Sequence, residues 1–170
     1  MSRALAVLAA ALVPLLGHAQ AVPPVTGIAW QLYESAPDAR GSWQRLGARE
    51  LLIQWTAVDG IAYVPGTKLR PSARMPDWKR IAAEPWAERI IAGLSGRTDE
   101  QTTRRSLDAM LAESLVISKL ELPFRPAAWY FPAEVDPTWK HAPLVLPPVL
   151  ARLPRPLWVS AYDEIGRAHV

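Results

Sequence analysis

Five short apolar segments, rich in β-branched and aromatic residues, constrain the fold of this chain more than any other feature. They are Gly27 to Tyr33 (GIAWQLY), Leu51 to Thr56 (LLIQWT), Arg89 to Leu94 (RIIAGL), Ala127 to Phe131 (AAWYF) and Leu157 to Ala161 (LWVSA). Runs of this length and character are what strands buried on both faces require. Helical patterns lie between them. Ser42 to Arg49 predicts a short helix, and Asp77 to Ala83 opens on a capping residue and stops before Pro85. Thr98 to Leu120 is the strongest, because Leu107, Met110, Leu111, Ser114, Leu115 and Ser118 fall three or four apart and make one apolar-to-small face. After the fourth strand, Leu144 to Leu153 predicts a helix that Pro147 and Pro148 confine to its late residues.

Strand alternating with helix is the pattern of βαβ units and a parallel sheet. The strand starts recur roughly every 32 residues, and an eightfold barrel of about 250 residues spends roughly 31 on each unit. The expected fold is therefore α/β, a partial (β/α)8 TIM barrel with about five of its eight units present. A doubly wound sheet fits the same alternation, but no Gly-x-Gly-x-x-Gly follows the first strand. Gly93-Leu94-Ser95-Gly96 matches neither that pattern nor a P-loop and reads as a turn. The stretch from Val58 to Pro76, with Gly60, Pro65, Gly66, Pro71 and Pro76, reads as a long binding loop at the end of the second strand.

The two ends of the chain read differently from its middle. Arg3, the apolar run Ala4 to Leu16 and the small residues around Ala19 and Ala21 predict a secretory signal peptide over residues 1–21, too short to span a bilayer. The expected location is periplasmic or secreted, with no stable membrane anchor after cleavage. Residues 164–170, Glu-Ile-Gly-Arg-Ala-His-Val, back-translate to a string resembling a sequencing adapter, so they are expected to be a non-native tail, with the truncated barrel domain covering 22–163. There are no cysteines, and only three histidines, one of them inside the expected leader, so neither a metal centre nor a cofactor is expected. The net charge of +3 comes from scattered Lys and Arg and makes no footprint for nucleic acid.

In a barrel the chemistry sits at the C-terminal ends of the strands. Period-two alternation aims Ala128, Tyr130, Pro132 and Glu134 in one direction and Trp129 and Phe131 in the other. On the same argument Gln31 shares a face with Tyr33, and Gln54 with Thr56. Amides this deep in apolar strands either line a polar mouth or satisfy one another and the backbone. Glu134 is the candidate catalytic residue: a glutamate beside aromatic rings at a barrel mouth suits the proton donor of glycosidic cleavage, which needs a carboxylic acid at the leaving oxygen. The alternative is a surface glutamate that caps the next helix. Of the eight tryptophans, Trp30, Trp55, Trp129 and Trp158 sit in strands and read first as core, whereas Trp139 is the better platform for a sugar ring.

Gly27-Ile28-Ala29-Trp30-Gln31, Leu52-Ile53-Gln54-Trp55-Thr56, Gly93-Leu94 and Trp129-Tyr130-Phe131-Pro132-Ala133-Glu134-Val135-Asp136 together resemble the domain-of-unknown-function family 4434, which is grouped with TIM-barrel, glycoside-hydrolase-like proteins. The resemblance implies a barrel with a carbohydrate site. It implies that Glu134 is the acid at the end of the fourth strand and that the nucleophile ends a seventh strand outside this sequence. Ala133 stands where enzymes of related architecture commonly carry Asn. The candidate substrate contacts are Gln31, Tyr33, Gln54, Trp55, Tyr130, Trp139 and Tyr162. Two functions follow: hydrolysis of an envelope or extracellular polysaccharide, or a non-catalytic role in saccharide binding or envelope assembly.

Overall fold

The computed structural model describes residues 25–162, so the expected leader at 1–21 and the expected tail at 164–170 lie outside the described residues. The chain begins with strands β1 (Gly27–Trp30) and β2 (Glu50–Ile53), then three two-residue strands, β3 (Ala57–Val58), β4 (Ile61–Ala62) and β5 (Arg70–Pro71). Helix α1 (Trp78–Ala82) leads to β6 (Arg89–Gly93) and β7 (Ser95–Gly96). Helices α2 (Glu100–Arg105) and α3 (Leu107–Ile117) follow, then β8 (Pro126–Tyr130), α4 (Ala142–Leu150) and β9 (Leu157–Trp158).

The architecture is mixed α/β. Its main sheet has five strands in the order β1-β2-β6-β8-β9, and every neighbouring pair is parallel. The order follows the chain with no reversal, unlike a doubly wound sheet, where the order reverses at a switch point. The described sheet does not close: β1 and β9 are its edges. Register puts Trp30, Ile53, Ala92, Trp129 and Leu157 in one row, on the face that packs against the helices with Trp78, Ile81 and Trp86. Fully burying a side chain such as Ile53 stabilises the fold by roughly 1.5–3 kcal/mol. The row on the opposite, inner face is Ala29, Leu52, Ile91 and Ala128. Ala29 from β1 and Trp158 from β9 line one hollow over this inner face, together with Leu52 and Ile91, so the sheet curls toward itself.

Several elements depart from the sequence expectations. The stretch expected as a structureless loop at 58–76 instead contributes to a second sheet, ordered β5-β4-β3-β7. Its hairpin turns on Asp59 (φ 49°) and Gly60 (φ 78°), the left-handed pair that a tight antiparallel turn demands. Because β3 follows β2 and β7 follows β6, the parallel β3–β7 pair extends the sheet at the C-terminal ends of its strands. Gly93 permits this crowding: a Cβ there would lie 2.3 Å from backbone atoms of Ile53 and Gln54.

The helix expected at Ser42 to Arg49 is only a 3-10 turn, Trp43–Leu46, closed by left-handed Gly47. The long helix expected from Thr98 to Leu120 is broken at Ser106 (φ −112°, ψ 15°) into α2 and α3. Helix α1 does form, with the Asp77 carboxylate capping Arg80 N at 3.1 Å. Pro147 and Pro148 sit inside α4 rather than confining the helix to the residues after them. The carbonyls they leave without N–H partners, on Pro143 and Leu144, belong to exposed residues, where water can satisfy them.

Candidate functional site

At the C-terminal ends of the strands a small pocket forms. Gln31, just past β1, and Gln54, just past β2, contribute amides, and the segment after β7 adds Arg97 and Thr98. Helix α2 supplies Glu100 and Thr103, and the segment after β8 supplies Pro132 and Glu134. Both amides were read from the sequence as either mouth-lining or internally satisfied; they line the pocket. Gln54 also donates from Nε2 to Glu134 Oε1 at 3.3 Å.

Glu134 is half-buried and held by the backbone around it. Phe131 and Ala133 are fully buried on the helix side, as period two predicts for Phe131. Ala133 N donates to Phe131 O at 2.8 Å and Val135 N to Ser160 O at 3.0 Å, fixing both flanks of the glutamate. Two residues on, Asp136 anchors the next turn. Its carboxylate accepts from Thr138 N (2.6 Å), the Thr138 hydroxyl (2.5 Å) and Arg104 Nη2 (2.5 Å). The Thr138 side-chain bond, aided by the Thr138 N–H and the Arg104 charge, holds the Asp136 carboxyl below the usual range despite its burial.

Arg97 forms one wall as a fixed cation. Its guanidinium grips Glu113 with two 3.0 Å bonds and reaches Gly96 O at 2.8 Å. Arg97, Thr98, Glu100 and Thr103 were missed by the sequence reading, which took Gly93 to Gly96 as a turn alone. The available signal was positional, since the loop after any barrel-type strand borders the mouth.

The remaining candidates divide. Trp55 is 2% exposed, donates from Nε1 to Leu32 O at 2.9 Å, and is among the residues that line the pocket. Tyr33 is 41% exposed but stands edge-on to Trp55, away from the pocket lining. The pairing of β1 ends at Trp30, so the period-two argument that placed Tyr33 beside Gln31 does not reach it. Trp139, expected as a platform for a sugar ring, is not among the residues that line the pocket. It is 7% exposed in the core beneath α4, with the Arg104 guanidinium over its ring at 5.4 Å. Tyr130 is buried on the inner face as expected, and its hydroxyl pairs with Ser160 Oγ at 2.8 Å. Burial pushes its phenol pKa up, against the Ser160 bond, and the nearby Glu134 charge adds to the rise. Tyr162 is half exposed near Glu134.

Chemically, the site combines two carboxylates, two amides, hydroxyls and a fixed guanidinium in one concavity, a donor and acceptor set suited to a polyhydroxylated ligand. Among the described residues no group of three or more potential metal ligands occurs, and no helix is long and apolar enough to cross a membrane. No family model, curated protein or solved structure matches this chain. The functional reading therefore rests on strand order and site chemistry.

Proposed function

We propose that this chain is an exported, glycoside-hydrolase-like protein built on five β/α units of an eightfold barrel. In this reading the full-length protein cleaves an envelope or extracellular polysaccharide, with Glu134 as the proton donor. The observation that carries the reading is Glu134 itself, a half-buried carboxylate beyond the C-terminal end of the fourth parallel strand, in a pocket shared with Gln31, Gln54 and a second carboxylate, Glu100. The barrel reading is supported by the unreversed parallel order and the curl of the sheet. The resemblance to family 4434 is part of the same proposal.

Glycosidic cleavage moves a proton onto the leaving oxygen as its bond to the anomeric carbon breaks, and the oxygen of water ends on that carbon. Glu134 gives the first proton, and a second carboxylate handles the water or the sugar cation. The amides hold sugar hydroxyls as bidentate partners. In the full-length protein Glu134→Gln keeps the shape and removes the acid, so turnover of natural polysaccharide should fall by roughly 10²–10⁴-fold, and that of aryl glycosides with good leaving groups by less. Unchanged turnover would remove Glu134 from the chemistry.

The second reading, saccharide binding without catalysis, is favoured by one observation. Ala133, fully buried, stands where enzymes of the related architecture commonly carry Asn, so the amide expected beside the acid is missing. Saccharide binding with no hydrolysis across a broad glycan panel would select it. Export is supported by the Arg3-to-Ala21 pattern. Protein recovered from the cell envelope should begin at Gln20 or Val22 on N-terminal sequencing, and an intact Met1 there would refute processing.

A further inference from the structure

Beyond β8 and β9, after a two-residue shift in register, the two segments meet again at a single parallel bridge. Phe131 N donates to Trp158 O at 2.9 Å, Val135 N to Ser160 O at 3.0 Å, and Tyr162 N to Val135 O at 2.8 Å. Val135 and Ala161 are thus a parallel bridge pair. In a parallel ladder paired residues point the same way and their neighbours the other. Glu134 therefore shares a face with Ser160 and Tyr162. The 2.8 Å contact between Ser160 Oγ and the Tyr130 hydroxyl identifies that face as the inner one.

We propose that Tyr162 is the positioning residue of the Glu134 site, its phenol donating to the Glu134 carboxylate and fixing the direction in which that group meets a ligand. The hydroxyls of Tyr130, Ser160 and Tyr162 then line the inner face of this strand pair from its buried end to the rim. Burial, and then the Glu134 charge, push the Tyr162 phenol above its usual range, while Ser160 pulls the other way. A phenol kept protonated beside a carboxylate can act only as the donor of the pair. Tyr162 is 49% exposed, so its ring carries little of the core and its hydroxyl can be removed without a cavity. Sequence position alone pointed to Tyr162 as a ligand contact; the bridge instead turns it toward Glu134.

The kinetic arm of the test uses the full-length protein and rests on the proposed hydrolase reading, whereas the titration arm needs neither. In protein labelled with carbon-13 at the tyrosine ring carbon bearing the hydroxyl, NMR titration follows each phenol, and Tyr162→Phe assigns the Tyr162 signal. In Glu134→Gln the Tyr162 midpoint should drop by about half a pH unit or more. The Tyr63 midpoint should stay put, because its rise comes from burial and Glu34. A Tyr162 midpoint that does not move in Glu134→Gln overturns the proposal. Tyr162→Phe should keep the wild-type circular dichroism and lower kcat about fivefold to tenfold with KM nearly constant. An active enzyme whose kcat ignores Tyr162→Phe also overturns the proposal. A full-length wild type inactive on every glycan defeats the hydrolase reading, and the titration then decides on Tyr162 alone.

Discussion

Asp136 separates a residue that builds the site from one that works in it. It stands two positions from Glu134 and is the more buried of the two, yet its oxygens are taken up by Thr138 and Arg104. Because its folded-state pKa is depressed, Asp136 contributes stability above the unfolded value of 3.8, and that contribution is lost as pH falls through the lower folded pKa. Asp136→Asn should therefore lower the urea midpoint at neutral pH, and the gap from wild type should narrow below about pH 4. Parallel urea titrations across that range check it, and a constant gap would refute the assignment. The sequence marked both acids as neighbours in one segment. It could not divide their roles, because the dividing contacts come from Arg104 on α2, remote in sequence.

At the scale of elements, each of the five main strands begins within one residue of its expected start, because burial on both faces leaves an unbroken apolar run. The ends were less legible. Gln31 to Tyr33 and Ser160 to Ala161 carry strand-like residues but leave the regular ladder, where contacts with neighbouring segments decide the path. The hairpin within 58–76 was written in Asp59-Gly60 between apolar pairs, a signal outweighed by the prolines around it. The break at Ser106 left no periodic trace, since α2 and α3 each keep helical spacing. The turn gives a test of backbone energetics alone. A Cβ on Gly60 meets nothing within 4 Å, but its φ of 78° is one that L residues rarely adopt. Gly60→Ala should cost about 1 kcal/mol in equilibrium unfolding. A neutral result would mean that the turn relaxes freely.

Across the whole molecule, the inner face and the two sheet edges stand out. Among the described residues β1 and β9 each have one unpaired side, and Trp158 is 45% exposed above the inner hollow. Unpaired edges beside exposed apolar surface template association between copies. The purified chain should therefore self-associate with concentration, read by light scattering after size exclusion. A strict monomer at high concentration would contradict this. The positions of Gln31, Gln54 and Glu134 at one end of the sheet were legible from strand spacing alone, since parallel strands in chain order bring all their C-terminal ends together. Arg97 and Glu100 were not, because a side chain that lines a pocket from a loop or a helix start leaves no periodic mark.

The unreversed strand order also governs the order in which the sheet can be assembled. Each main strand pairs with the one synthesised just before it, from β1 and β2 through to β8 and β9. None has to wait for a later segment to occupy a place between two earlier ones. A chain arriving N-terminus first, whether from a ribosome or through a translocation pore, can therefore add one strand at a time to a single growing edge. Apart from the outer side of β1, the open edge is always that of the newest strand, so each of the strands between β1 and β9 is exposed to the wrong partner only until its successor emerges.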